Sequence, residues 1–288
     1  MSTYKNAYQL LSDVRYGINE HSTAFIDGTD TTGAFQNEYI ISKINEAQRY
    51  IYSFLFKRFS GFFLAASEIV GVNSVFALPW DCGAVRYFKD ENGYRVSQID
   101  VDNLHAASAT GSDNLFYRKG NSLVLDRANV SATYTLYYYK KPRDIDQGIA
   151  VAGGALSITL ASTARKLVDY YNGMIIENIT QDWFDTITDY SARVATILET
   201  ATVDDYYGIV PDMPEMFHEF IAPIAVYKIK LESPVTQEAP KQGFLGDINE
   251  SLLSAARSYS DISLDVTAEE IFCDFGSSQS VNYNIPGY

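Results

Sequence analysis

A chain of 288 residues, 47% hydrophobic and 20% charged, carries enough apolar material to bury a core in one to three compact units. Its formal charge of −14 and pI near 4.6 exclude the broad basic footprint of a groove that grips nucleic acid. An acidic surface suits solubility, or a wall past which a polyanion slides without sticking. Cys82 and Cys273 lie in unrelated segments, which excludes a disulfide framework. No apolar run approaches the roughly 20 residues of a membrane span, and Met1-Ser2-Thr3-Tyr4-Lys5 lacks a signal-peptide core. The expectation is a soluble protein made in a reducing cytoplasm. The 22 tyrosines supply rigid contact area with a polar tip, as extensive interfaces require.

Ala7, Leu10, Leu11, Val14 and Ile18 recur at helical spacing and predict a first helix over about 3–19, with Ser2 or Thr3 as its N-cap. Residues 25–33, rich in Gly, Asp and Thr, form a loop. The longest helix follows over about 35–59, with Ile40, Ile44, Ala47, Ile51 and Leu55 on one face and Lys43, Glu46 and Arg49 outward. After Gly61 the period changes to that of strands: 70–78, 84–88 and 94–99, the last two joined at Glu91-Asn92-Gly93, then a hairpin of 115–118 with 122–125 around Gly120-Asn121. A tyrosine-rich strand, 133–140, stops before Pro142.

Residues 144–154 read as a polar, glycine-rich linker into a second β-module that runs to about Val210. Its strands are Ser157-Ile158-Thr159-Leu160, the run 169–177, Thr186–Tyr190 and Val194–Ile197, with Asn172-Gly173 the strongest turn signal; that dipeptide and Ile175-Ile176 oppose a helix over 165–180. Pro211 and Pro214 punctuate a return to helix on Phe217, Ile221, Ile224 and Leu231, in which Pro223 forces a kink or a later start. After a linker over 233–243, Asp247 opens a last helix with Glu250 as capping partner and Ile248, Leu252, Ala255, Ala256 and Tyr259 as its stripe. Beyond Arg257 there is no Lys or Arg, and the tail has the composition of an arm that orders against a partner. The fold class is therefore α+β: a small α-helical bundle with two inserted antiparallel β-modules and an extended C-terminal arm. The parts are N-terminal helices 1–65, first β-module 66–142, linker and second β-module 143–210, C-terminal helices 211–260 and arm 261–288.

No reaction centre is legible. His21, His105 and His218 are scattered, and HExxH, GxSxG and GxxxxGK[ST] patterns are missing. Asp204-Asp205 are neighbours that point apart on a strand, so they do not divide acid and base duties. Asp27 and Glu38 have the spacing of the ends of a calcium loop, but Thr29, Thr31 and the misplaced Gly33 break the pattern. Lys57-Arg58 and Lys140-Lys141 are short basic pairs at element ends. No cofactor, metal or catalytic residue is assigned.

Asp13-Val14-Arg15, Ile44-Asn45-Glu46-Ala47, Leu78-Pro79-Trp80-Asp81 and Tyr137-Tyr138-Tyr139-Lys140-Lys141-Pro142, in that order of parts, resemble the head-to-tail adaptor (connector) proteins of tailed bacteriophages. The stretch 169–177 with 187–190 and 194–196 is similar to β-modules of phage virion proteins. The resemblance implies a virion protein at the head-to-tail joint: a closed ring of about twelve copies, heterologous in its contacts, docked beneath the portal and meeting tail, nozzle or stopper proteins below. Genomic DNA would pass through without specific binding, and no membrane is involved. The arm would supply portal anchors, namely Ile271, Phe272, Phe275, Tyr283, Ile285 and Tyr288. A host-surface or glycan-binding virion protein, with tyrosines stacked on sugars, is the alternative; a hydrolase with distant carboxylates meeting in a cleft is a third.

Overall fold

A computed structural model of the chain describes residues 4–20, 33–99, 115–126, 130–232 and 243–258. The chain divides into two compact units between Gln242 and Gly243. Three helices of the first unit pack on one another: α1 (Ala7–Gly17), α2 (Asn37–Phe59) and α3 (His218–Glu232). Their mutual faces are Leu10, Leu11 and Val14; Ile40, Ile44, Ala47, Ile51 and Leu55; and Ile221, Ile224, Ala225 and Ile229, all fully buried. α1 is capped by Asn6, not by Ser2 or Thr3: the Asn6 side chain accepts from the Gln9 N–H at 2.8 Å while Gln9 Oε1 accepts from the Asn6 N–H at 3.1 Å. Lys43 ties α2 to α3 through Glu232 at 2.6 Å, with Glu46 beside it at 3.1 Å. Pro223 lies inside α3, so the Glu219 carbonyl loses its intrahelical donor.

Residues 64–140 do not form an open module inserted in a helical bundle. Seven strands, β1 (Leu64–Val72), β2 (Val75–Ala77), β3 (Cys82–Lys89), β4 (Arg95–Gln98), β5 (Leu115–Lys119), β6 (Ser122–Leu125) and β7 (Thr133–Lys140), close into a barrel in the order β1-β2-β6-β5-β4-β3-β7. Closure comes from β7, which pairs with β1 from Tyr139↔Leu64 to Thr133↔Val70 and with β3 on its other side, leaving neither edge of the tyrosine strand open. All pairings are antiparallel except β4 with β5. The mixed α+β class holds; the bundle as the organising body gives way to this barrel. The strand expected over 70–78 is a hairpin, because Asn73 and Ser74 both take left-handed conformations (φ 51° and 68°) and reverse the chain between Val72 and Val75.

Inward residues fill the barrel: Ile69, Phe76, Phe88, Phe116, Tyr134 and Leu136 belong to one buried cluster. The Phe76 ring meets Tyr134 edge-on at 4.8 Å and Phe88 at 5.2 Å between centroids. Gly71 lies under that ring, where a Cβ would come within 2.3 Å of it. The interior is thus a packed core and not a pore.

The second β body has two four-stranded sheets. One has the order β13-β14-β10-β9 and the other β12-β11-β15-β8, from β8 (Gln147–Ile149), β9 (Ala152–Gly154), β10 (Ser157–Thr159), β11 (Ile175–Asn178), β12 (Trp183–Thr186), β13 (Asp189–Ser191), β14 (Val194–Thr196) and β15 (Tyr206–Ile209). β8 and β9 therefore occupy the expected linker. Residues 165–174 are turns, and Gly173 has the positive φ (77°) that the Asn-Gly signal demands. Tyr171, Tyr190 and Tyr207 are buried here, so part of the tyrosine content serves the core. In the second unit a helix, α4, spans 244–258, starting before Asp247, with Ile248, Leu252 and Ala256 buried.

Gly71→Ala is expected to destabilise the barrel by about 1–3 kcal/mol through overpacking against Phe76. Combining it with Phe76→Leu should cost less than the sum of the two single changes in urea unfolding; strict additivity would contradict the contact.

Candidate functional site

The strap Lys141–Asp146 runs from the end of β7 to the start of β8, and nearly every residue in it is fastened to a different element. The Lys141 N–H donates to the Asp81 carbonyl at 2.7 Å, at the corner between β2 and β3. Arg143, only 6% exposed, donates from Nη2 to Asp212 Oδ2 at 2.9 Å and from Nη1 to the carbonyls of Asn172 (2.7 Å) and Tyr170 (3.1 Å). The Asp144 carboxylate is held between Arg49 of α2 and Arg165, the latter at 2.6 Å. Asn45 of α2 closes a two-way pair with the Ile145 backbone: Ile145 N–H to Oδ1 at 2.8 Å and Nδ2 to the carbonyl at 3.1 Å. Charges that read as a solvated linker are therefore partnered joints.

Other residues that carry the family resemblance are joints as well. Arg15 is buried and binds Glu20, Asn37 Oδ1 (3.0 Å from Nε) and the Phe35 carbonyl (2.9 Å), fixing the end of α1 to the start of α2. Asp81 accepts from the Tyr138 hydroxyl at 3.0 Å, and burial beside that carboxylate pushes the Tyr138 hydroxyl pKa up. Tyr137 stacks on Tyr87 at 4.3 Å, and Tyr139 meets Phe56 edge-on at 5.2 Å.

One cleft adjoins the strap and another lies beside the end of β7. One, of about 330 Å³, lies between α2 and the strap and includes Asn45, Arg49, Asp144, Asp146, Thr163 and Tyr171 in its lining. The other, of about 510 Å³, is bordered by Tyr4, Phe62, Lys140, Asp212 and His218. At the first, burial raises the Asp146 carboxyl from 3.8 to about 6, against hydrogen bonds from the Tyr207 hydroxyl (2.7 Å), Thr163 (3.3 Å) and the Gln147 N–H. At the second, burial lowers the His218 pKa; its Nδ1 accepts from the Lys5 N–H at 3.3 Å and its Nε2 faces the Met213 carbonyl at 3.0 Å, the arrangement of a neutral ring.

Asp205 is buried and accepts from Asn178 (2.8 Å), Gln181 (2.7 Å) and the Thr202 N–H (2.7 Å), whereas Asp204 is exposed, so the two carboxylates do not converge. Glu38 is exposed on α2, while Asp27, Asp30, His21, His105 and Cys273 lie outside the described residues. So do the arm residues Ile271, Phe272, Phe275, Tyr283, Ile285 and Tyr288. Among the described residues no group of three or more His, Cys, Asp or Glu is placed to hold a metal ion, and no helix is long and apolar enough to cross a membrane. Sequence reasoning missed Asn45, Asp144 and Arg143 as joints, since their partners lie 100, 95 and 69 positions away in sequence.

The family model of the SU10 adaptor protein matches residues 5–161, which takes in α1, α2, the whole barrel, the strap and β8 to β10. The chain belongs to that family, and on that footing it is a phage structural adaptor protein of the virion. The sequence resemblance to phage head-to-tail adaptors agrees with it. No curated protein matches the chain. Among solved structures, the flagellar hook junction protein FlgK from Burkholderia pseudomallei aligns at 9% identity and a TM-score of 0.12, over 84% of this chain and 61% of its own length. A superposition of that quality carries no structural inference.

The folded pKa of Asp146 lies above the unfolded value, so its contribution to stability is complete below about pH 4 and is lost as pH rises through about 6. Asp146→Asn keeps an acceptor for Tyr207 and removes the charge. The stability of the variant relative to the native chain should therefore grow by about 2 kcal/mol between pH 4 and pH 7 in denaturant titrations. A difference independent of pH would contradict a buried carboxyl that resists ionisation.

Proposed function

We propose that this adaptor acts at the head-to-tail joint as a closed ring of about twelve copies, docked beneath the portal and receiving tail, nozzle or stopper proteins below. The carrying observation is the family match across residues 5–161, which spans α1, α2, the barrel and the strap. A rigid body suits a ring subunit, because a heterologous contact closes only if each copy holds its two patches at a fixed angle. With the barrel interior filled, the path for DNA is the ring axis, and a chain of net charge −14 lines that axis without gripping the phosphates. Within this reading the N-terminal helices (1–65) and C-terminal helices (211–260) form the ring body, 66–142 and 143–210 its β parts, and 261–288 an arm to the portal. Ile271, Phe272, Phe275, Tyr283, Ile285 and Tyr288 are the arm's anchors.

Negative-stain microscopy of the purified chain with and without the phage's portal protein tests the reading. Annular particles or capped portals are expected; monomers that ignore the portal would overturn it. Ending the chain after Tyr259 should weaken portal binding at least tenfold, and undiminished binding would remove the arm from the assignment.

A further inference from the structure

The two β bodies differ in charge. Residues 64–142 hold eight acidic and eight basic side chains, whereas 143–210 hold ten acidic and four basic, so a neutral barrel is followed by a body with six net negative charges. On the outer face of the barrel three basic side chains, Arg86, Lys89 and Arg95, surround one pair of tyrosines. Tyr87 of β3 and Tyr137 of β7 stack at 4.3 Å with their planes 22° apart, opposite each other in the strand register. Lys89 Nζ lies 5.2 Å from the Tyr137 centroid, and the Arg95 and Arg86 guanidinium carbons lie 5.5 and 5.9 Å from that of Tyr87. Arg86 and Arg95 are exposed and make no ion pair with the described residues. Glu68, two strands from Lys89 in the same row, marks where this cationic and aromatic face ends.

The acidic body presents a feature of opposite character. The segment Leu198–Asp204 exposes Leu198 (73%) and Val203 (57%) together with Glu199 and Asp204, yet its backbone is fixed throughout. The Asp185 carboxylate accepts from the N–H groups of Leu198 and Glu199, the latter at 3.2 Å. Trp183 Nε1 donates to the Thr200 carbonyl at 3.1 Å, and the Ala201 N–H to Gly154 at 3.1 Å. Asp205 accepts from Thr202 N–H at 2.7 Å, and the Asp204 N–H donates to Ala150 at 3.0 Å. Large apolar side chains held outward on a pinned loop give up little conformational freedom on binding.

We propose that the loop 198–204 of one copy docks on the Tyr87–Tyr137 face of the next, with Glu199 and Asp204 meeting Arg86, Lys89 and Arg95 and with Leu198 covering the tyrosine rings. The pairing joins two different patches, which is what a closing head-to-tail contact between identical chains requires. DNA is a poorer occupant of the cationic face: three charges release counterions from about three phosphates, too few to offset the repulsion of a chain of net charge −14. The inference rests on the ring reading and specifies its subunit contact.

Two variants of the full chain test it, Arg86→Glu with Arg95→Glu, and Glu199→Lys with Asp204→Asn, each checked for native circular dichroism and followed by mass photometry, with portal protein added as template. Native chain should assemble, each variant alone should assemble at least tenfold more weakly, and an equimolar mixture should recover assembly, because every contact in an alternating ring then pairs opposite charges. A folded variant that assembles like the native chain, or a mixture that fails to recover, overturns the contact and leaves the ring reading standing. Native chain that stays monomeric even with portal overturns the ring reading itself. Normal assembly combined with loss of binding to a DNA duplex in Arg86→Glu/Arg95→Glu would reassign the face to nucleic acid.

Discussion

Six residues between β7 and β8 determine how the first unit holds together. The strap leaves the barrel at Lys140, crosses the end of the second β body through Arg143, presses Ile145 against Asn45 of α2, and enters β8 after Asp146. Arg143 matters most, because it is buried with one carboxylate and two carbonyls as its partners. Its guanidinium has five donors in a fixed plane, so the position of Asp212, just before α3, and that of the 170–172 turn are set by the same group. Removing one side of such a pair strands the other in a poorly solvated site, at a cost of about 3–5 kcal/mol.

That joint explains why an adaptor with little regular helix can behave as one piece. The three helices pack on one another, the barrel is closed on itself, and the second β body has its own core around Tyr171, Tyr190, Tyr207 and Ile176. Each could be stable alone and still swing. Lys140 and Arg143 both reach Asp212, and Asp144 bridges Arg49 to Arg165, so the bodies share ion pairs that range from buried, at Arg143, to exposed, at Arg49 and Arg165. Of these pairs the buried one, Arg143 with Asp212, is the least subject to salt screening.

Much of the architecture was legible wherever period and turn chemistry coincide. The unbroken stripe of α2 places its start to within two residues, and the alternation of Thr133–Lys140, ending before Pro142, gives β7 in full. The hairpins at Gly120 and Gly93 announced themselves through glycine, which takes the positive φ those turns need. The Asn73-Ser74 turn carried no glycine, so 70–78 looked continuous. Barrel closure was invisible, since β4 pairs with β5 in parallel across a long excursion and β7 chooses two partners by register, not by composition. The strap's joints are hidden in the sequence, because Arg and Asp at its positions have the composition of a solvated linker. Arg15, Asn45, Asp81 and Tyr138 lie in the segments that carry the family resemblance, but their bonding roles depend on partners distant in the chain, such as Ile145 for Asn45 and Asp81 for Tyr138.

The central claim, that Arg143 couples the barrel, the second β body and the helices into one cooperative unit, is tested most directly by native-state hydrogen exchange. In the native chain the slowest amides of β7, β11 and α2 should share one opening free energy. In Arg143→Leu those of β11 should separate from the other two and exchange with an opening free energy lower by about 3 kcal/mol. If the three elements remain matched in the variant, the strap is a connection and not the joint on which the unit depends.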